Sequence, residues 1–222
     1  ITADQHRADC FGFKGRKVKT PHLDALAAEG THFDNCITPN AVCQPARASM
    51  LTGLYPRTHG VSDNGIDLLP KLGEAGFAGQ LGSAGYATGF IGKAHFSSQS
   101  TWVPTGTPEC RTSSADYPPD WRGPWMGFDH FESVVHSHDL DRLLTPPQGL
   151  AYEHFIHRDG HGAEKLAAYQ THLPPDMGAH KTWTSALPSA WHSSSWVADR
   201  SISWLRKERS EPFQLARAWS IT

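Results

Sequence analysis

The chain has 222 residues, 20 Lys and Arg against 22 Asp and Glu, a formal net charge of −2 and 38% hydrophobic residues. That length suits one sizeable α/β domain or two small ones. The near-neutral charge lacks the basic footprint of a nucleic-acid binder, and no apolar run approaches a bilayer-spanning length. The four cysteines, Cys10, Cys36, Cys43 and Cys110, are too sparse for a disulfide scaffold and contain no Cys-x-x-Cys pair for a zinc knuckle. They leave the location open between cytoplasm and periplasm or exterior. Abundant Gly (20), Pro (16) and His (14) predict a loop-rich protein.

Ile1-Thr2-Ala3 reads like the end of a strand whose start is missing. Thr20 and Pro21 open a helix, Thr as the cap and Pro in the first turn. Leu23, Leu26 and Ala27 form its apolar stripe, and Gly30 ends it. A short strand is expected over His32 to Ile37. A second helix is expected from Pro45 to a stop at Gly53, and a third from about Leu69 to Ala84, interrupted by glycines. Tyr86 to Ile91 is predicted as a strand running into the turn Gly92-Lys93-Ala94-His95. This alternation predicts a mostly parallel sheet covered by helices. Residues 97–195 are rich in Pro, Ser, Thr, Trp and His and read as long rim loops with a short helix near Gly162 to Tyr169. Trp196 to Arg209 returns to helical patterning, and Phe213 to Ile221 alternates like a strand. The organisation expected is one domain over 1–222: a core at 1–96, a loop-rich rim at 97–195, and a return to the core at 196–222.

The segment with most chemistry is Ala41-Val42-Cys43-Gln44-Pro45-Ala46-Arg47-Ala48-Ser49-Met50-Leu51-Thr52-Gly53. Cys43 stands just before a Pro-initiated helix, whose unpaired N–H groups and positive dipole end favour anions. Arg47 follows by about one turn and returns to the same face. A nucleophile beside a helix N-terminus and a guanidinium suits a tetrahedral oxyanion such as sulfate or phosphate. The competing reading of a lone Cys here is a buried residue at a tight turn. A second segment is Gly85-Tyr86-Ala87-Thr88-Gly89-Phe90-Ile91-Gly92-Lys93-Ala94-His95. If it is extended, Lys93 and His95 point the same way and reach one oxyanion. A third is Thr2-Ala3-Asp4-Gln5-His6-Arg7-Ala8-Asp9, whose oxygen donors suit a hard cation. Asp4 alone would read as a helix or turn cap.

Together these segments resemble the formylglycine-dependent type I sulfatases of the alkaline phosphatase-like superfamily. Cys-x-Pro-x-Arg with Leu-Thr-Gly resembles the family's modification signature, with Ala46 where Ser is commonest and Gln44 where a small residue is usual. Gly-Tyr-x-Thr leading to Gly-Lys-x-His resembles the second signature, with Ala94 in place of the usual Trp. Thr20-Pro21-His22-Leu23-Asp24 and Tyr55-Pro56-Arg57-Thr58-His59-Gly60-Val61 resemble flanking stretches. Asp63 and Asn64 lie near the expected pocket rim, with a turn role the simpler reading.

The resemblance implies an α/β, alkaline phosphatase-like sandwich with a mostly parallel central sheet flanked by helices, C-terminally incomplete here. It implies a sulfatase hydrolysing a sulfate ester to alcohol and inorganic sulfate. Cys43 would be oxidised by a formylglycine-generating enzyme, and a hydrate oxygen of the product would attack sulfur. Arg47 and Lys93 would neutralise the sulfate oxygens, and His95 would hydrogen-bond the nucleophile or leaving oxygen. Asp4, Gln5 and the modified Cys43 would hold a divalent cation, calcium first, with magnesium or manganese as alternatives. The partners implied are a small-molecule or carbohydrate sulfate ester and the maturation enzyme, with no nucleic acid and no membrane span. A phosphonate or phosphate ester hydrolase of the same superfamily and a non-catalytic remnant are the alternatives. A thiol-redox role for Cys43 is more remote, since no resolving Cys lies close in sequence. The family's downstream catalytic His, metal pair and second Lys are not in these residues, so the 222-residue chain alone is expected to be inactive. The nine histidines from His130 to His192 read as solvated loop residues, with spacings that fit no zinc pattern.

Overall fold

The computed structural model describes residues 1–4, 6–99, 101–134, 146–158, 160–170 and 188–210. The described residues divide into two compact units, 1–38 and 39–210.

In the first unit, helix α1 spans Pro21–Glu29. Pro suits its first turn, because a ring-fixed φ is already helical and no N–H is lost to the ladder. Thr20 stands at the N-cap but makes no side-chain cap bond. Its hydroxyl instead accepts the Gly12 N–H at 2.8 Å and donates to Asp24 at 2.7 Å, so it joins the preceding turn to the helix. Phe11 stacks on Phe13 with centroids 5.2 Å apart. The strands expected at Ile1–Ala3 and over His32 to Ile37 do not form. A strand needs a ladder partner, and Phe33 and Ile37 are instead 74% and 86% exposed.

In the second unit, helix α2 spans Cys43–Thr52 and ends at Gly53 in the left-handed conformation. The helix begins at Cys43 and not at Pro45, so the cysteine is its first residue. Short helices α3 (Pro56–His59), α4 (Pro70–Glu74) and α5 (Phe77–Ser83) follow. The single helix expected over Leu69 to Ala84 is therefore two, parted at Gly76, whose backbone is extended. Strand β1 (Gly89–Gly92) pairs in parallel with β2 (His130–Ser133), in the register Gly89 with His130 and Gly92 with Ser133. Helices α6 (Ala151–Arg158), α7 (Gly162–Gln170) and α8 (Ser193–Ser210) complete the described elements.

The helix expected near Gly162 forms as α7, and residues 97–195 are more regular than expected because they also contain β2 and α6. The cause is burial. Phe131 on β2 and Tyr152 and Ile156 on α6 lie at 0–1% exposure, each inside a core. One core gathers Leu51, Leu68, Phe96, Phe128 and Phe131, with Phe90 packed on it at centroid distances of 5.3 and 5.5 Å from Phe128 and Phe131. The other joins Val134, Tyr152, Ile156 and Trp196.

Two polar clamps tie helices into this frame. Arg200 of α8 donates to both oxygens of the buried Glu132 on β2 at 2.8–3.1 Å, and His130 bonds the same carboxylate at 2.9 Å. Lys165 of α7 donates to both oxygens of Glu153 on α6, at 2.9 and 2.7 Å, with both side chains buried. Gly89 admits α8, because a Cβ there would stand 2.7 Å from the Trp204 ring. Among the loop histidines, His130 belongs to a strand and His154 and His157 to α6, while His136, His138, His172 and His180 lie outside the described residues. So does the strand expected over Phe213 to Ile221.

Candidate functional site

Cys43 occupies the first turn of α2, where backbone donors are left over. Val42, at the N-cap, has no side-chain acceptor to offer. Pro45 has no N–H, and the Ala46 N–H closes the first turn on the Val42 carbonyl at 3.2 Å. The Gln44 N–H is satisfied from outside the helix by Asn64 Oδ1 at 3.0 Å. The start of α2 is thus capped by a residue twenty positions away.

Gln44 is fully buried. Its side-chain amide donates to the carbonyls of Ile66 at 2.6 Å and Phe96 at 3.4 Å, and its carbonyl accepts the Gly65 N–H at 2.8 Å. The residue that departs from the family signature therefore laces α2 to two neighbouring segments. Below it, His59 is buried and accepts the Val61 N–H on Nδ1 at 3.1 Å. That leaves Nε2 as the protonated nitrogen, which donates to Ser49 at 2.9 Å. Burial lowers the His59 pKa and so favours this neutral form.

Strand β1 delivers the second segment. Gly92, its last residue, has φ +124°, a conformation that side-chain-bearing residues rarely adopt. The backbone leaves the strand there. His95 then sits at φ +55°, in the left-handed region. The extended alternation expected for Lys93 and His95 does not hold, because residues 93–96 form a turn at the C-terminal end of β1. Ligand sites of open α/β sheets lie at such strand ends.

This turn meets α2. Lys93 Nζ lies 3.7 Å from Cys43 Sγ. The Arg47 guanidinium donates to the Lys93 carbonyl, and the Leu68 N–H donates to the Phe96 carbonyl at 2.9 Å. Cys43, Arg47 and Lys93 thus come together as the spacing suggested, and His95 is buried in the same turn. A thiol on the first turn of a helix, with a lysine ammonium at contact distance and a guanidinium one turn on, can receive a tetrahedral oxyanion.

Asp4 presents an exposed carboxylate in the first unit, and Gln5 lies outside the described residues. Among the described residues, no three His, Cys, Asp or Glu side chains gather to hold a metal ion. All four cysteines are free thiols. No described helix is long and apolar enough to cross a membrane. Three site-building residues left no usable mark in the sequence or were undervalued: Asn64, Gln44 and Glu109. Glu109 lies in a Pro- and Thr-rich stretch without periodicity, and its carboxylate accepts the Phe96 N–H at 3.0 Å.

Residues 1–133 match the family model described as Sulfatase. The chain is 37% identical over 144 residues to the ulvan-active sulfatase of Formosa agariphila, covering 64% of this chain and 25% of that protein. It is 39% identical over 228 residues to the multifunctional alkaline phosphatase superfamily protein PehA of Trinickia caryophylli, covering 97% of this chain and 39% of that one. The crystal structure of the phosphonate monoester hydrolase of Agrobacterium radiobacter is similar over 99% of this chain and 38% of its own, with TM-score 0.57 and 25% identity. The chain thus spans about a quarter to two fifths of the length of these relatives.

Proposed function

The chain belongs to the sulfatase family, with the alkaline phosphatase-like fold, and from that premise we propose that the protein carrying it hydrolyses a sulfate ester using a nucleophile made from Cys43. The observation that carries this is the junction of α2 and the β1 turn, where Lys93 Nζ stands 3.7 Å from Cys43 Sγ and Arg47 is bound to the Lys93 carbonyl. The 222 residues are the N-terminal part of a single catalytic domain, with the signature core at 1–96, the substrate-rim region at 97–195 and the return to the core from 196.

Cys43 is the residue converted to formylglycine by a formylglycine-generating enzyme. The aldehyde, as its hydrate, supplies an oxygen nucleophile and a second hydroxyl that lets the sulfated group collapse without ester hydrolysis. Lys93 draws the sulfate group to the helix N-terminus and neutralises its oxygens, and Arg47 adds positive charge from one turn deeper. His95, fixed in the left-handed turn, hydrogen-bonds the nucleophile or the leaving oxygen. The backbone amides at the start of α2 favour the same charge. Asp4 and Gln5 offer a carboxylate and an amide oxygen, the donor chemistry a hard cation takes. Such donors suit calcium, or magnesium or manganese, and a bound ion would supply Lewis-acid stabilisation. The substrate is a small-molecule or carbohydrate sulfate ester.

A second reading is hydrolysis of phosphonate or phosphate esters, favoured by one observation: PehA and the phosphonate monoester hydrolase match nearly the whole chain, whereas the ulvan-active sulfatase matches 64%. Turnover of a 4-nitrophenyl sulfate and a 4-nitrophenyl phosphonate by the full protein separates the two. A higher kcat/KM on the sulfate supports the first reading, and a hundredfold preference for the phosphonate overturns it.

A further inference from the structure

Glu109 is fully buried, and the proposed chemistry does not use it. Its carboxylate lies beneath the turn that carries Lys93 and His95. Phe96 N–H reaches its two oxygens at 3.3 and 3.0 Å. Trp125 Nε1 donates to Oε1 at 2.8 Å and Gln99 Nε2 to Oε2 at 3.3 Å. Every donor is neutral. A buried carboxylate held only by neutral donors is a costly way to fill space. Burial pushes its pKa up to about 7 despite those donors.

The conformation of the turn supplies the reason to keep it. His95 has φ +55°, a value uncommon outside glycine. The N–H that follows this left-handed residue, that of Phe96, is directed onto both Glu109 oxygens. The other side of the turn is held by its carbonyls, Lys93 by Arg47 and Phe96 by Leu68 and Gln44. Resting on the reading of Lys93 and His95 as oxyanion-facing groups, we infer that Glu109 is a positioning residue that fixes this turn by accepting the main-chain N–H of Phe96, the residue after His95.

Glutamine is isosteric but has one acceptor oxygen, and its NH2 group would face a donor. Glu109→Gln is therefore the test, made in the full protein with an aryl sulfate as probe. kcat falls about tenfold to hundredfold, as expected when a reacting group shifts by a fraction of its own bond length, while KM stays within twofold. Amide hydrogen exchange at Phe96 accelerates at least tenfold, with β1 unchanged. The melting temperature at pH 8 is unchanged or higher. The sign follows from the raised pKa: ionising Glu109 in the folded state opposes folding as pH rises through 7, and the variant removes that cost. Trp125→Phe, which deletes one anchor of the carboxylate, lowers kcat in the same direction by a smaller factor. Wild-type kcat and wild-type exchange in Glu109→Gln overturn the proposal. So does a general loss of protection with a lower melting temperature, which would make Glu109 a plain stability residue. If the wild-type protein leaves sulfate esters untouched, the functional reading fails, and the exchange rate at Phe96 still decides the role of Glu109.

Discussion

Lys93 illustrates how far single residues could be read. The family resemblance implied that it binds a sulfate oxygen, and its ammonium lies 3.7 Å from Cys43 Sγ. Lys93→Met in the full protein should lower kcat/KM on a sulfate ester at least about a hundredfold, the usual cost of deleting one charge-stabilising donor. Lys93→Arg should recover part of it. The mass of the Cys43 peptide must be the same in both variants, so that the loss is assigned to catalysis and not to maturation. Cys43, Arg47 and Lys93 were legible because each sits in a short segment whose spacing a helix or strand end enforces. Glu109 was not, and Asn64 was legible only as a rim or turn residue. Each acts on the site through an acceptor oxygen reaching across the fold, to Gln44 N–H and to the His95–Phe96 turn, and no local pattern marks such a reach. Gln44 was visible only as a departure from a signature, while its role comes from the carbonyls of Ile66 and Phe96.

Elements followed the sequence where local signals and burial agreed. Helix α1 starts at its proline and stops before Gly30, and α2 stops at Gly53. They diverged where a partner decides. The segment from His32 to Ile37 carries strand-forming residues but has no ladder, whereas β2 forms at His130–Ser133 because β1 pairs with it. The link between β2 and α8 gives a test at this scale. Burial pushes the Glu132 carboxyl up, but the bonds from His130 and Arg200 and the charges of Arg200 and Arg122 outweigh it and hold the pKa at about 2. A folded-state pKa below the unfolded value means the contribution is complete above about pH 5 and lost as pH falls toward 2. The shift from 4.5 to about 2 corresponds to up to about 3 kcal/mol at neutral pH. Glu132→Gln should lose that stability at pH 7 and flatten the unfolding free energy between pH 5 and 2, measured by urea titration at each pH. An acid limb unchanged from wild type would show that α8 is not held this way.

For the whole molecule, the similarity to the phosphonate monoester hydrolase over 99% of the chain gives the alkaline phosphatase-like fold, and the family match covers residues 1–133. The central claim is chemical: Cys43, set on the first turn of α2 beside Lys93, is the residue converted to the catalytic aldehyde. The measurement that reaches it most directly is the mass of the Cys43 peptide after expression of the full protein with a formylglycine-generating enzyme. A loss of about 18 Da, the change from thiol to aldehyde, is the result predicted. An unmodified Cys43 in a folded protein that still turns over its ester would contradict it.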